Sequence, residues 1–214
     1  CVFTPWEYYR YYGDSAVLKS SYPVMRRYLD YLTGQLTDCV LENYAHMGEW
    51  GELRESTPKV LVATCSYYRM LVITGKAAGI LGETADRVYY ENMAQKTREA
   101  FYRHPLCYNA EKGIYGNGSQ AGYGCVLFSG LVEEDRKAEV TQMLVDAVKE
   151  RDYHLSSGEV GLKQVFVSLA ENGRNDVVYR MVMNRSAPGY RVFADAGMST
   201  RPEYWNCDEL WMGM

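Results

Sequence analysis

The chain has 214 residues, of which 47% are hydrophobic and 23% charged, and its formal net charge is −4 at pH 7. These values suit one soluble globular domain or part of a larger one. They argue against a general nucleic-acid or anionic-membrane binder, which needs a basic face, and no apolar run is long enough to predict a membrane span. Tyrosine is overrepresented, with 20 Tyr against 5 Phe. Such a bias fits a cleft for polar ligands such as carbohydrate, or a large helical core whose hydroxyls reach water.

The six cysteines and three histidines are scattered through the chain. None of the cysteines forms a Cys-x-x-Cys pair, so the sequence predicts reduced thiols, no metal site and no cofactor. The first residues are Cys-Val-Phe rather than a methionine with a leader. We therefore expect a piece of a longer protein, and its compartment stays unassigned.

Proline and glycine mark the first helices. Pro5 suits the first turn of a helix that ends at Gly13, and Ser15–Tyr22 predicts a short helix or turn. Pro23 then predicts the start of a separate helix that runs to about Leu36, because proline is tolerated in a first turn and breaks a helix interior.

Apolar character alternates along the rest of the chain. Helices that are apolar on nearly every face are buried on all sides, whereas helices with one apolar stripe keep a wet face. Fully buried helices are predicted at Val60–Leu81, Ser119–Leu131 and Leu162–Ala170. Amphipathic helices with one solvent-exposed face are predicted at Glu83–Arg103, Glu133–Arg151 and Asn175–Asn184.

The sequence therefore predicts an all-α protein of about eight helices, in which inner and outer helices take turns. Two architectures fit, an α/α toroid and an α-solenoid. The residue signature of a tetratricopeptide solenoid is missing, so the toroid is favoured. In a toroid the loops before the inner helices meet at one mouth, which would hold Trp50, the 115–120 turn, the 154–161 loop and Glu203.

Two loops hold the candidate ligand-binding residues. Gly48 and Gly51 bracket Glu49-Trp50, which predicts either a loop that presents the Trp ring to a ligand or a connector whose Trp packs on the core. Near the C-terminus, Pro202 stiffens the backbone before Glu203, and two aromatic residues follow. That stretch is either a catalytic carboxylate with an aromatic wall or a surface turn with a solvated Glu.

Several motifs occur in a fixed order along almost the whole chain. They read PWEYYRYYGD at Pro5–Asp14 with YPVM at Tyr22–Met25, GEWGE at Gly48–Glu52, HLSSGEVG at His154–Gly161 with LAENG at Leu169–Gly173, and GMSTRPEYW at Gly197–Trp205. In this order they resemble the bacterial α-L-rhamnosidases of glycoside hydrolase family 78.

The resemblance implies an (α/α)6 barrel that removes terminal α-L-rhamnose from carbohydrate with inversion. Glu203 falls on the general base of the family, and Trp50 on an aromatic residue that lines the sugar pocket, with Glu49 beside it. Trp205 and His154 are further substrate-binding candidates, although a histidine in such a loop can also serve to position it. Two other classes stay open, another α/α-barrel sugar enzyme of the unsaturated uronyl hydrolase type and a non-catalytic helical scaffold.

The chain also departs from the family pattern. The acidic segment that carries the general acid has no counterpart here, and an Asn-His pair is replaced by Asp208–Trp211 before Met212-Gly213. The second change bears on rhamnose specificity. From the first we expect residues 1–214 to be a partial barrel without useful activity alone, which self-associates through uncovered helix faces.

Overall fold

The computed structural model describes residues 1–44 and 47–200, and its fold is all-α, as predicted. The described residues form nine α-helices, of which only the last is shorter than eight residues. They are α1 (Phe3–Tyr12), α2 (Ser15–Thr33), α3 (Lys59–Leu81), α4 (Thr84–Arg103), α5 (Gln120–Ser129), α6 (Lys137–Lys149), α7 (Glu159–Glu171), α8 (Asn175–Val182) and α9 (Tyr190–Asp195).

Two very short strands lie in the glycine-rich turn after α4. Strand β1 (Tyr108–Asn109) pairs antiparallel with β2 (Ile114–Tyr115), and Tyr108 lies opposite Tyr115. Two-residue strands are too short to show an alternating pattern, so the sequence does not predict them.

The predicted helix break at Pro23 is wrong, because α2 runs without interruption from Ser15 to Thr33. Proline removes the N–H that would bond the carbonyl of Lys19, but both residues are exposed, so that carbonyl reaches water. The opposite side of the helix carries a continuous buried stripe, formed by Leu18, Tyr22, Met25, Leu29 and Leu32. Packing of this stripe outweighs the cost of the proline, about 3 kcal/mol.

The chain forms two compact units, of which the first comprises residues 1–48 and 58–116. Helix α3 is its core element, since 15 of its 23 residues are buried, and α2 and α4 pack on it. The turn at Gly82, with φ of 81°, lets α4 follow directly after α3. This confirms the predicted buried helix, α3, and the amphipathic helix that follows it, α4.

The second unit comprises residues 49–57 and 117–214, and its described part contains α5 to α9. Helix α5 is buried over nine of its ten residues, and α6 and α7 pack on it. At Gly124 a Cβ would lie 2.8 Å from Cγ2 and 2.9 Å from the backbone nitrogen of Val165. Glycine at this point therefore lets α5 and α7 come into backbone contact.

Helix α7 departs from the prediction of a fully buried helix. Its buried residues are Gly161, Val165, Ser168 and Leu169, whereas Leu162, Phe166 and Val167 are half-buried. The described helices that pack on α7, namely α5, α6 and α8, cover only part of its circumference.

Two further expectations concern the chain as a whole. No helix in the described ranges is both long and apolar enough to cross a membrane. Cys1, Cys39, Cys107 and Cys125 carry free thiols. Cys207 lies outside the described residues.

Candidate functional site

Residues Glu49–Thr57, here called the clasp loop, belong to the second unit although the residues on either side belong to the first. Trp50 is 44% exposed at the start of this loop. Gly51 follows it with φ of 75°, a left-handed conformation that glycine adopts without strain. The loop thus presents the Trp ring to solvent, which does not fit a connector whose Trp packs on the core.

Backbone hydrogen bonds hold the clasp loop against the segment before α7. The Glu159 N–H donates to the carbonyl of Trp50 at 2.8 Å, and the Leu53 N–H donates to the carbonyl of Ser156 at 2.7 Å. Between them, a Cβ on Gly158 would lie 2.0 Å from the carbonyl oxygen of Trp50. A residue larger than glycine at 158 would therefore push the two segments apart.

The Glu49 side chain fastens the same loop to α7. The residue is 7% exposed, and its two carboxylate oxygens lie 2.8 and 2.9 Å from the Gly161 nitrogen, whose N–H they accept. Gly161 is in the first turn of α7, where backbone N–H groups lack intrahelical partners. Glu49 therefore caps this helix from a distant part of the chain, and a role toward sugar stays a prediction.

Burial raises the pKa of Glu49 to about 7, and the negative charges of Glu52 and Glu159 act in the same direction. The hydrogen bonds from the Gly161 and Gly158 backbone favour the charged form and oppose the rise. Desolvation is the largest cause, because a buried carboxylate loses its hydration. Near neutral pH this carboxyl group can therefore gain or lose a proton.

The Glu52 side chain bonds within the clasp loop and through it to α5. One of its oxygens accepts the Thr57 N–H at 2.8 Å, and the other accepts the Thr57 hydroxyl. The Thr57 hydroxyl is also 2.6 Å from the Ser119 hydroxyl, which accepts the Gly122 N–H at 3.1 Å as the N-cap of α5. Glu52 is thereby coupled to the start of α5 through a buried hydrogen-bond chain.

The Glu55 side chain makes the third such connection. It accepts the Gln120 N–H at 3.2 Å in the first turn of α5 and lies 3.5 Å from the Arg151 guanidinium. Gln120 in turn bonds the 154–156 segment, donating to the His154 carbonyl at 2.9 Å and accepting the Ser156 N–H at 3.1 Å. Burial raises the pKa of Glu55, while Ser156, Arg151 and Gln120 oppose the rise.

The sequence reasoning missed Glu52 and Glu55. Their regular spacing with Glu49, every third residue in a loop that precedes a buried helix, is the only sequence signal for them. Glu55 directly, and Glu52 through Thr57, connect to the start of α5 in another part of the chain, so the spacing by itself does not separate these carboxylates from solvated ones.

His154 is held by two contacts within the protein. Its Nδ1 lies 2.8 Å from the Arg151 carbonyl oxygen, and its Nε2 lies 2.8 Å from the Ser186 hydroxyl. Both ring nitrogens thus have protein partners, as expected of a histidine that positions its loop. The same side chain also lines a cleft of the second unit.

Glu203, the candidate general base, and Trp205, the second aromatic candidate, lie outside the described residues. Within residues 1–44 and 47–200, no group of three or more His, Cys, Asp or Glu side chains is placed to hold a metal ion.

Comparisons with known proteins agree on one family. Residues 1–211 match the family model of the bacterial α-L-rhamnosidase six-hairpin glycosidase domain. An α-L-rhamnosidase of Streptomyces avermitilis is 29% identical over 205 residues, and one of Formosa agariphila is 25% identical over 223 residues. Each alignment covers 96% of this chain but only 19% and 23% of the relative, so the chain spans about a fifth of their length.

Solved structures give the same result. The Streptomyces avermitilis α-L-rhamnosidase complexed with L-rhamnose has a TM-score of 0.86 and 29% identity. The superposition covers 96% of this chain and 19% of the Streptomyces chain. The α-L-rhamnosidase of Dictyoglumus thermophilum has a TM-score of 0.82 and 27% identity, over 96% of this chain and 24% of its own. The predicted toroid class is thus confirmed over the solenoid. The chain belongs to the family of bacterial α-L-rhamnosidase six-hairpin glycosidase domains.

Proposed function

We propose that this chain is part of the catalytic domain of an inverting α-L-rhamnosidase and that it carries the general base and one wall of the sugar pocket. The proposal rests on the family match and on the likeness to a rhamnosidase solved with L-rhamnose. The observation that carries it furthest is Trp50, an exposed aromatic ring on a loop whose backbone is bonded to the start of α7.

In this mechanism Glu203 takes a proton from water while that water attacks the anomeric carbon from the face opposite the leaving group. A second carboxyl group protonates the glycosidic oxygen, and inverting enzymes hold the two groups about 6.5–9.5 Å apart. We place this acid outside residues 1–214. Trp50 and Trp205 would pack on the apolar faces of the sugar, and His154 and Glu49 would hold the loops around it.

The test measures hydrolysis of 4-nitrophenyl α-L-rhamnoside by the natural full-length polypeptide that contains this chain. Glu203→Gln should lower kcat by about 10²–10⁴, because general base catalysis supplies about that much. Glu171→Gln, at an exposed position of α7, is the matched control and should leave kcat unchanged. Equal turnover by wild type and Glu203→Gln would exclude Glu203 as the base.

The stereochemistry is checked separately by proton NMR of the first sugar released. Inversion predicts that β-L-rhamnose forms before mutarotation, whereas α-L-rhamnose as the first product would contradict the inverting mechanism.

Residues 1–214 alone should show no useful turnover of the same substrate, since a base without its acid loses proton delivery. We also expect this isolated chain to self-associate, because apolar side chains of α7 remain partly accessible. Substantial turnover, or a well-behaved monomer in light scattering, would contradict these two expectations respectively.

A further inference from the structure

A cleft of about 550 Å³ lies in the second unit between the clasp loop, the 150–156 turn and Ala187-Pro188. A second hollow of about 470 Å³ adjoins it and shares Arg54, Glu150 and Arg151 with it. Volumes in this range suit a small ligand or a few sugar residues. None of the residues singled out from the sequence, apart from His154, lies in this cleft.

The lining of the cleft mixes hydrogen-bond donors with acceptors. Arg54 and Arg151 supply guanidinium donors, and Glu150 and Asp152 supply carboxylate acceptors, so these four charges cancel. The remaining lining consists of two polar residues, His154 and Ser156, and four apolar ones, Leu53, Leu155, Ala187 and Pro188. Sugar hydroxyls both donate and accept, and sugar rings have apolar C–H faces, so this lining suits a neutral sugar better than an anion.

The cleft is held in shape by its own backbone. Arg54 and Asp152 have φ of 57° and 51°, in the left-handed region that non-glycine residues seldom adopt. The Arg151 guanidinium donates to the Arg54 carbonyl at 3.4 Å, and the His154 ring ties this turn to Ser186. A cleft fixed in this way needs little rearrangement to bind a ligand.

The cleft shares the clasp loop with Trp50, the aromatic residue of the proposed sugar pocket. Arg54 follows Trp50 by four residues, so the two Cα atoms are at most about 14 Å apart. Both lie on the clasp loop, whose backbone bonds to the 156–159 segment at two points.

We propose that this cleft binds a neutral sugar residue on the leaving-group side of the bond that is cleaved, with Arg54 as a hydrogen-bond donor to its hydroxyls. The inference rests on the proposed function and adds a preference for glycans over small glycosides. Arg54 is exposed and its guanidinium takes no part in the hydrogen bonds that fix the loop, so it determines specificity without holding the fold.

The test measures the activity of the natural full-length polypeptide on three substrates. They are 4-nitrophenyl α-L-rhamnoside, a rhamnosyl disaccharide with a neutral hexose as its second residue, and the same disaccharide with a uronic acid there. Arg54→Ala should lower kcat/KM for the neutral disaccharide about 10-fold, because it removes a charged hydrogen-bond donor, and leave the aryl glycoside unchanged. Arg27→Ala, at an exposed position of α2, is the matched control and should change neither.

A second variant, Arg54→Gly, removes the same guanidinium and suits the left-handed backbone at this position. Its substrate profile should match that of Arg54→Ala. Three results would overturn the proposal. Equal losses of kcat/KM on all three substrates would mean that the loop has moved, and an unchanged kcat/KM for the neutral disaccharide would mean that the cleft binds no part of it. A loss confined to the uronic acid substrate would mean that the cleft binds an anionic sugar rather than a neutral one. If the wild type cleaves no rhamnoside at all, the proposed function itself fails and this inference falls with it.

Discussion

The carboxylate of Glu49 and the backbone N–H of Gly161 are 112 residues apart in sequence, yet they lie 2.8 Å apart in the second unit. A negative charge in the first turn of a helix is stabilised by the unpaired N–H groups and the helix dipole. The same contact fixes the residue that precedes Trp50. This hydrogen-bonded pair therefore contributes both to the start of α7 and to the position of the loop that presents the Trp ring.

Gly161→Ala should destabilise the protein by about 1–3 kcal/mol, because the new Cβ would lie 2.8 Å from Glu49 Oε1 and 2.9 Å from the Ala121 Cβ. Urea unfolding measures the change. Gly79→Ala in α3 is the matched control, since its Cβ would meet only Arg87 Cδ, at 3.4 Å. That control should be neutral or slightly stabilising, and equal losses in both variants would contradict the role of Gly161.

The stability of the protein should fall as the pH rises through 7 because of Glu49. Its pKa is about 7 in the folded chain against 4.5 for the ordinary group, so between these values the folded state holds a proton that the unfolded chain has released. The contribution is fully present below about pH 4.5 and is lost as the pH rises through about 7, which amounts to about 3 kcal/mol.

Glu49→Gln isolates this effect, since the amide oxygen can still accept the Gly161 N–H but does not titrate. The free energy of unfolding of wild type minus that of the variant should decrease by about 3 kcal/mol between pH 4.5 and pH 8. A difference that stays constant over this range would show that Glu49 titrates normally.

Trp50→Ala should raise KM for 4-nitrophenyl α-L-rhamnoside about tenfold or more, if the ring packs on the sugar as proposed. The free energy of unfolding should change by less than about 1 kcal/mol, because the side chain is 44% exposed. Trp50→Phe keeps an aromatic face and should recover most of the binding. An unchanged KM for the alanine variant would exclude Trp50 from the sugar pocket.

Thr57→Val should cost about 1–3 kcal/mol of stability, because it keeps the shape of the side chain and leaves Glu52 and Ser119 without their shared partner. Thermal and urea unfolding both measure this change. Thr84→Val, at the exposed start of α4, should stay within about 0.5 kcal/mol. Similar values for the two variants would show that the buried chain of hydroxyls contributes nothing.

Local signals predict most of the helices but not every boundary. Gly13 and Gly82 end helices as expected, since both have left-handed backbone after the last helical turn. Pro23 fails as a start signal because the stripe from Leu18 to Leu32 packs continuously across it. A proline rule describes the cost to one turn, whereas the buried face of the whole helix decides the outcome.

Local sequence signals likewise predict only part of the candidate site in the clasp loop. Glycines on both sides of Glu49-Trp50 predict a loop that can present an aromatic ring, and the exposed Trp50 agrees. Glu49 and Glu55 bond directly to the first turns of α7 and α5, which lie more than 60 residues further along the chain. Glu52 reaches the start of α5 only through Thr57. No local pattern specifies such partners.

The sequence by itself therefore determined the all-α class, the alternation of buried and amphipathic helices and the motifs of the family. These features follow from hydrophobic periodicity and from glycine and proline positions, which act within a few residues. Only the tertiary structure decided that α2 is continuous, that three glutamates cap and brace α5 and α7, and that Arg54 faces a cleft. Those features depend on burial and on hydrogen-bond partners brought together by folding, which neighbouring residues in the chain do not specify.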